Sequence, residues 1–329
     1  MANEYLTGLA EVISACEIPD FSAGASGYFS EPQKTLDPAL FDGDQIKPEV
    51  RSHIIDTLFR FWKMRGLNLP EAEVPWVRIW LAGSGVSYQW AGDRGSGDLD
   101  VLLGIDWPRF YLKNPQWGQT GVNEITDYLN EQLWHDLWPR TAHTEFGGQI
   151  YEVTYYVNQD ATDIRDINPY AAIDLSADTW TVHPTRDTAY QRTVPSGWQA
   201  VADQDLEAAA HIRQTVHQIQ ADLPLLDGPY WTTAMTQLSH QIDYAVGLMK
   251  EIHGNRHRAF RKPLGLGYAD YHNWRWQMAK RNGVVAVLGA LERAHKQAVE
   301  STQRSLYGVP LETADVLLMR AAQAYRSSS

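Results

Sequence analysis

Cysteine is nearly absent from this chain of 329 residues, Cys16 being the single example. One thiol closes no internal disulfide, which fits a reducing compartment, and a cytoplasmic protein is expected. Cys16 itself reads as a small, partly buried hydrophobe rather than a nucleophile. Long apolar runs are missing too, so no membrane-spanning helix and no membrane partner are expected. The opening residues, MANEYLTGLAEVISACEIPD, carry acids and no basic n-region, and do not read as a secretory signal. Positive charge is in deficit: the formal net charge of −12 argues against binding of long duplex DNA, where phosphate neutralisation supplies much of the affinity. The chain has no G-x-x-x-x-G-K-[ST] phosphate loop, no H-E-x-x-H zinc motif and no G-x-S-x-G nucleophile elbow. Gly265-x-Gly267 alone is no dinucleotide fingerprint, and no internal repeat is visible.

A hydrophobic content of 44% against 21% charged residues describes an ordinary globular chain, long enough for two domains or one elaborated domain. Thirteen Trp and sixteen Tyr are many, and point to aromatic-rich packing or a substrate groove. The most informative stretch is Trp76 to Asp106, WVRIWLAGSGVSYQWAGDRGSGDLDVLLGID. An apolar run ends in Gly83-Ser84, a glycine-rich loop spans Gly92 to Gly97, and a second apolar run carries Asp98-Leu99-Asp100-Val101. The pattern predicts a strand, a phosphate-binding turn, a helix, a loop and a second strand. Residues i and i+2 share one face of a strand, so Asp98 and Asp100 project together while Leu99, Val101 and Leu103 are buried.

This segment resembles the nucleotidyltransferase superfamily of the polymerase-beta type. The shared signature is an apolar residue and Gly-Ser, nine to thirteen residues, then Asp-apolar-Asp/Glu-apolar. Here Ala82-Gly83-Ser84 is followed by the thirteen residues 85 to 97 and then by Asp98-Leu99-Asp100-Val101. The resemblance covers residues 76 to about 160 and implies a third carboxylate on a neighbouring strand. Two residues compete for that place. Glu152 lies on the polar face of an alternating run, with Tyr151, Val153, Tyr155 and Val157 opposite, in a strand similar to the base-bearing strand of aminoglycoside nucleotidyltransferases. Asp174 follows apolar residues in YAAIDLS, on another candidate strand.

The rest of the chain fills in around this core. Residues 1 to 48 read as an irregular arm, with a short helix over Glu4 to Glu17. Val50, Ile54, Leu58, Phe61 and Trp62 recur at helical spacing, as do Ile125, Leu129, Leu133 and Leu137. Trp180 to Thr185 reads as an edge strand ended by Pro184. Beyond residue 190 the pattern turns helical. Stripes run through Leu206, Ala210, Ile212, Val216 and Ile219, and through Met235, Leu238, Ile242, Val246 and Met249; further helices are expected over Tyr271 to Gln303 and Leu311 to Tyr325. We therefore expect an α/β (α+β) protein: an arm over 1–48, a small mixed sheet flanked by helices over 49–190, and an all-helical C-terminal domain over 191–329.

A basic cluster, Lys250, Arg256, Arg258, Arg261 and Lys262, stands against the single acid Glu251. Lys250 and Arg258 are candidates to meet a triphosphate, and the competing reading is a solvated loop near a helix C-terminus. His253 and His257 stand four apart, but Gly254 and Asn255 between them argue against a stable helix and a shared metal. Tyr268, Tyr271, Trp274 and Trp276 would stack on a base or pack in a core.

What the resemblance implies chemically is transfer of an NMP from an NTP, such as ATP, to an acceptor hydroxyl. Gly83 and Ser84, the latter opening a helix, would receive phosphate oxygens. Asp98, Asp100 and Glu152 would hold Mg²⁺, two ions by the family's pattern, with Mn²⁺ as a substitute. Glu152 would otherwise take the acceptor's proton. The acceptor is open: the acidic balance favours a small molecule or protein, the basic cluster favours an RNA end or tRNA, and another nucleotide stays in view. The alternative from a different class is a non-catalytic nucleotide-binding scaffold that kept the fold.

Overall fold

The computed structural model describes residues 2–22, 27–70, 75–90, 97–158, 162–186 and 194–308. Gly92 and Gly95 of the glycine-rich loop, and the helix expected over Leu311 to Tyr325, lie outside the described residues. The strands are β1 Phe41–Asp42, β2 Gln45–Ile46, β3 Val77–Ala82, β4 Gly97–Ile105, β5 Thr144–Phe146, β6 Gln149–Val157, β7 Ala172–Asp174 and β8 Thr179–Val182. The helices are α1 Ala2–Ala15, α2 Pro48–Met64, α3 Trp107–Lys113, α4 Val122–Gln132, α5 Trp138–Thr141, α6 Ser196–Asp222, α7 Gly228–Phe260, α8 Tyr271–Arg281 and α9 Val284–Tyr307. The protein is thus mixed α/β, and its helices after residue 195 follow a sheet-containing block.

Two units emerge: one formed by described residues within 27–191 and 260–268, the other within 1–26, 192–259 and 269–312. The boundaries differ from those expected. The first helix joins the C-terminal helices because Leu9 and Ile13 are fully buried in their apolar core, so residues 1–48 are not one arm. Residues 27–48 go with the sheet, where Leu36, Leu40, Phe41 and Ile46 enter its core. Residues 260–268 also belong to the sheet unit, since Asn168 N–H donates to Phe260 O at 2.9 Å and Ile167 bridges Arg261.

The sheet unit is built on six strands in the order β5-β6-β4-β3-β7-β8. The pair β4–β6 is parallel and the other four pairs are antiparallel. Period-two alternation explains β6, whose Tyr151, Val153, Tyr155 and Val157 are buried while Glu152, Thr154 and Tyr156 are half-buried on the other face. The buried face shares a core with Val50, Ile54, Leu58, Phe61 and Trp62 of α2 and with Ile125 and Leu129 of α4. Each such side chain contributes about 1.5–3 kcal/mol by leaving water. The Tyr155 hydroxyl fastens β6 to α2 by donating to Ile54 O at 3.1 Å. The helix expected to run unbroken to Leu137 changes at Leu133 into one π turn, Leu133–Leu137, which keeps both leucines buried.

In the helical unit the stripe on α6 runs through Ala202, Asp205, Ala209, Ile212, Val216 and Ile219; Ala209 is buried and the expected Ala210 is exposed. The helix α7 continues through Gly254 and Asn255 to Phe260, because one helical glycine costs only about 1 kcal/mol. His253 and His257 consequently share a face, with ring centroids 5.4 Å apart. No helix among the described residues is long and apolar enough to cross a membrane.

Candidate functional site

Side chains on the outer face of the sheet converge at the N-terminal end of β4. Asp98 is exposed and Asp100 half-buried, and both point away from the core that takes Leu99 and Val101. Across the parallel pair β4–β6, Asp98 is the register partner of Glu152, and Asp100 of Thr154. Adjacent strands lie about 4.8 Å apart. Asp98, Asp100 and Glu152 therefore share one face at one end of the sheet. Glu152 has a fixed contact: Trp138 Nε1 donates to its Oε1 at 2.9 Å. Its neighbour Tyr151 points to the opposite, buried face and donates to Asp37 Oδ2 at 2.7 Å. Burial first, and then the Asp37 carboxylate, push the Tyr151 phenol well above its ordinary pKa, so it stays a proton donor that locks β6 in place.

Asp174 sits elsewhere. On β7 it pairs with Trp80 of β3, which in turn pairs with Leu102 of β4, two residues beyond Asp100 and two strands away. Its Oδ1 accepts from the N–H groups of Ser176 at 2.8 Å and Ala177 at 3.0 Å, which makes it a turn-forming residue.

The Gly83-Ser84 turn closes over the same end. Ala82 is the register partner of Asp100, and Gly83 then turns with φ +86°, in the left-handed region that favours glycine. A Cβ on Gly83 would stand 2.8 Å from Asp100 Oδ2. The turn is thus in contact with the carboxylate itself. A Cβ on Gly85 would meet Leu99 Cδ2 at 2.6 Å and Asp98 O at 2.8 Å, so the turn lies directly on the start of β4.

The expected helix after Ser84 is not formed. Ser84–Val86 is a single 3-10 turn, closed when Ser87 N–H and Oγ both bond to Ser84 O, at 3.1 and 2.8 Å. That side-chain bond to the backbone competes with helix continuation. Ser84 is exposed at the turn, and no helix N-terminus stands there to receive an anion.

Lys250 and Arg258 lie exposed on α7 in the helical unit. Other members of the basic cluster serve local structure. Arg256 bonds Asn273 at 3.4 Å and lies over the Trp276 ring, and Lys262 donates to Arg165 O. Tyr268 stacks on Tyr170 in the sheet unit, while Trp274 and Trp276 are buried in the helical one.

All three carboxylates are hard oxygen donors suited to Mg²⁺ or Mn²⁺. Among the described residues, however, no group of three or more His, Cys, Asp or Glu side chains is gathered closely enough to hold an ion. The donor chemistry fits a divalent ion that brings further ligands with it, rather than one caged by protein alone.

Two participants escaped the sequence. Gly85 carried a signal, since a Gly-Ser-Gly turn places glycine on both sides of the serine. Trp138 carried none, because its bond to Glu152 depends on the π turn before it. Comparison of the chain with protein-family models, with curated proteins and with solved structures gave no match.

Proposed function

We propose that the sheet unit is a Mg²⁺-dependent nucleotidyltransferase core that moves an NMP from an NTP to an acceptor hydroxyl and releases pyrophosphate. The reading rests on one observation above the rest. A Gly-Ser turn is seated on Asp100, with Asp98 and Glu152 as cross-strand neighbours on the same partly exposed face.

Each residue has a role that its surroundings support. Gly83, lacking a Cβ, opens its backbone to a phosphate oxygen, and Ser84 offers an exposed hydroxyl donor. Asp98 and Asp100 would hold Mg²⁺, which takes one or two carboxylates plus substrate phosphates rather than an all-protein cage. When bound, Mg²⁺ would neutralise the triphosphate and stabilise charge on attacking and leaving oxygens. Glu152, with Oε1 held by Trp138, keeps Oε2 for the proton of the acceptor hydroxyl. As that proton leaves, the hydroxyl oxygen bonds the α-phosphorus and the bond to pyrophosphate breaks. Positioning and charge neutralisation carry most of such a transfer.

The test is incubation with each α-³²P-labelled NTP and Mg²⁺, with and without cellular RNA and protein, beside Asp98→Asn. Transfer by the native chain, lost to background in a variant with an unchanged circular dichroism spectrum, is the expected result. Transfer retained by Asp98→Asn overturns the metal-ligand role. NTP binding without transfer in the native chain leaves the scaffold reading in its place.

A further inference from the structure

Next to Glu152 stands an aromatic pair that the proposed chemistry does not use. Trp134 and Trp138 stack with ring centroids 4.6 Å apart and planes 16° from parallel. Trp138 is the ring whose Nε1 holds Glu152 Oε1. Trp134 is 50% exposed, and it is the one exposed tryptophan of the thirteen, all of which are described. Buried tryptophans of the same unit, Trp62 and Trp76, stack inside the core where packing accounts for them. Core packing does not account for Trp134. It sits on the π turn Leu133–Leu137, whose two leucines anchor the segment, and such turns recur at functional sites.

We infer that Trp134 and Trp138 form a stacking platform for a nucleobase whose attached ribose hydroxyl is the acceptor addressed by Glu152. The inference rests on the nucleotidyltransferase reading and narrows its acceptor to a nucleotide-bearing one. A planar base continues a two-ring stack, and stacking on aromatic side chains tolerates any base because every base has a π face. The stack ends at a carboxylate, since its inner ring, Trp138, is bonded to Glu152 through its Nε1 edge. An apolar protein patch laid over the same rings would bring apolar surface against the Glu152 carboxylate bonded to them, and desolvating a carboxylate is costly. A base with polar edges avoids that cost. The base can be carried by a free nucleoside or by the end of a single-stranded RNA.

The experiment titrates the full chain with adenosine, with guanosine, and with a fluorescently labelled single-stranded oligoribonucleotide bearing a free 3′ hydroxyl. Binding is read by calorimetry and by anisotropy. Trp134 is half exposed, so Trp134→Ala is expected to keep the fold, checked by an unchanged circular dichroism spectrum, and Trp134→Phe retains a stacking ring. Expected is binding of at least one probe, weakened about tenfold or more by Trp134→Ala and restored to within a few-fold by Trp134→Phe. Nucleoside binding assigns a free nucleotide acceptor, and binding of the oligomer alone assigns an RNA end. No binding of any probe, or equal binding by Trp134→Ala, overturns the platform even if transfer activity is found. Trp134-dependent binding in a chain that transfers no labelled NMP overturns the enzyme reading and leaves the platform standing.

Discussion

The two units treat charge in opposite ways. In the helical unit Arg275 is buried and paired: its Nε and Nη2 each meet an Asp205 oxygen at 2.8 Å, and its Nη1 meets Glu251 at 2.7 Å. Side-chain exposure is 8% for Arg275 and 7% for Asp205, so this is a desolvated, bidentate pair. Asp205 first, through its hydrogen bonds, and then Glu251 raise the pKa of Arg275 further. In the sheet unit three carboxylates instead share a partly exposed face beside a turn shaped around one of them. Opposite charges brought together and buried make architecture. Like charges lined up at a surface cost repulsion, which the proposed Mg²⁺ would offset.

The contrast is broken most severely in the helical unit. Asp205→Ala leaves the Arg275 guanidinium buried without its bidentate partner, and a loss of about 3–5 kcal/mol is expected in denaturant unfolding. Replacing both partners, with Arg275→Met and Asp205→Leu, should recover most of that loss, because the penalty belongs to the stranded charge. If the double replacement is as unstable as the single one, the pair contributes more than mutual neutralisation. The sheet face should respond in activity rather than stability. Glu152→Gln keeps the Trp138 contact through its amide oxygen but cannot take a proton, and should lower transfer about 10²–10⁴-fold at constant stability. Asp174→Asn keeps the oxygen that closes its turn and should leave transfer unchanged. The opposite pattern would move the third carboxylate to Asp174.

This division also explains how far the sequence could be read. Alternation in β6 and the α2 stripe were legible because period two and period 3.6 are local properties, and each residue's face follows from its own neighbours. The pairing of Asp98 with Glu152 was not legible from periodicity, since register between strands fifty residues apart is a tertiary outcome. The stripe on α6 shifted by one residue, from Ala210 to Ala209, because the three consecutive alanines 208–210 give a pattern no contrast. The α7 extension past Gly254 and the arrival of α1 in the helical core were set by packing that overrides weak local preference. The absent helix after Ser84 was a matter of one hydroxyl, Ser87 Oγ, closing a turn on itself.

A finer test separates backbone strain from contact with the site. Gly83→Ala introduces both: a residue at φ +86°, and a Cβ 2.8 Å from Asp100 Oδ2. Gly66→Ala, at φ +74° with nothing within 4 Å of its Cβ, introduces the strain alone. Both should lose about 1–3 kcal/mol of stability. Only Gly83→Ala should weaken Mg²⁺-dependent NTP binding, measured by calorimetry, because only there is a carboxylate of the site displaced. Equal NTP binding by the two variants would detach the turn from the site.

The smallest expected effect belongs to the sheet unit's own opposite-charge cluster, which lies near its surface and so tests whether burial is what matters. Asp163 accepts from Arg165 N and Nε, both at 2.9 Å, and from Arg78 Nη1 at 3.1 Å. Hydrogen bonds from Arg165 in the first place hold its carboxyl down to about 2 against an ordinary 3.8. A carboxyl whose pKa is lower folded than unfolded stabilises the fold at pH above the unfolded value and loses that contribution as pH falls through the folded one. The stabilisation is therefore complete above about pH 5, declines as pH falls through about 4 to 2, and is gone by about pH 1. Its partners are well exposed, with side-chain exposure of 57% for Arg78 and 64% for Arg165, so solvent screening should hold the contribution below about 1 kcal/mol. Asp163→Asn should accordingly destabilise slightly at pH 7 in low salt, and the difference from the native chain should shrink as pH falls through about 2 and should vanish in 1 M salt. A difference that survives salt would mean that the cluster acts through the hydrogen bonds that start the turn at Ile164 rather than through charge.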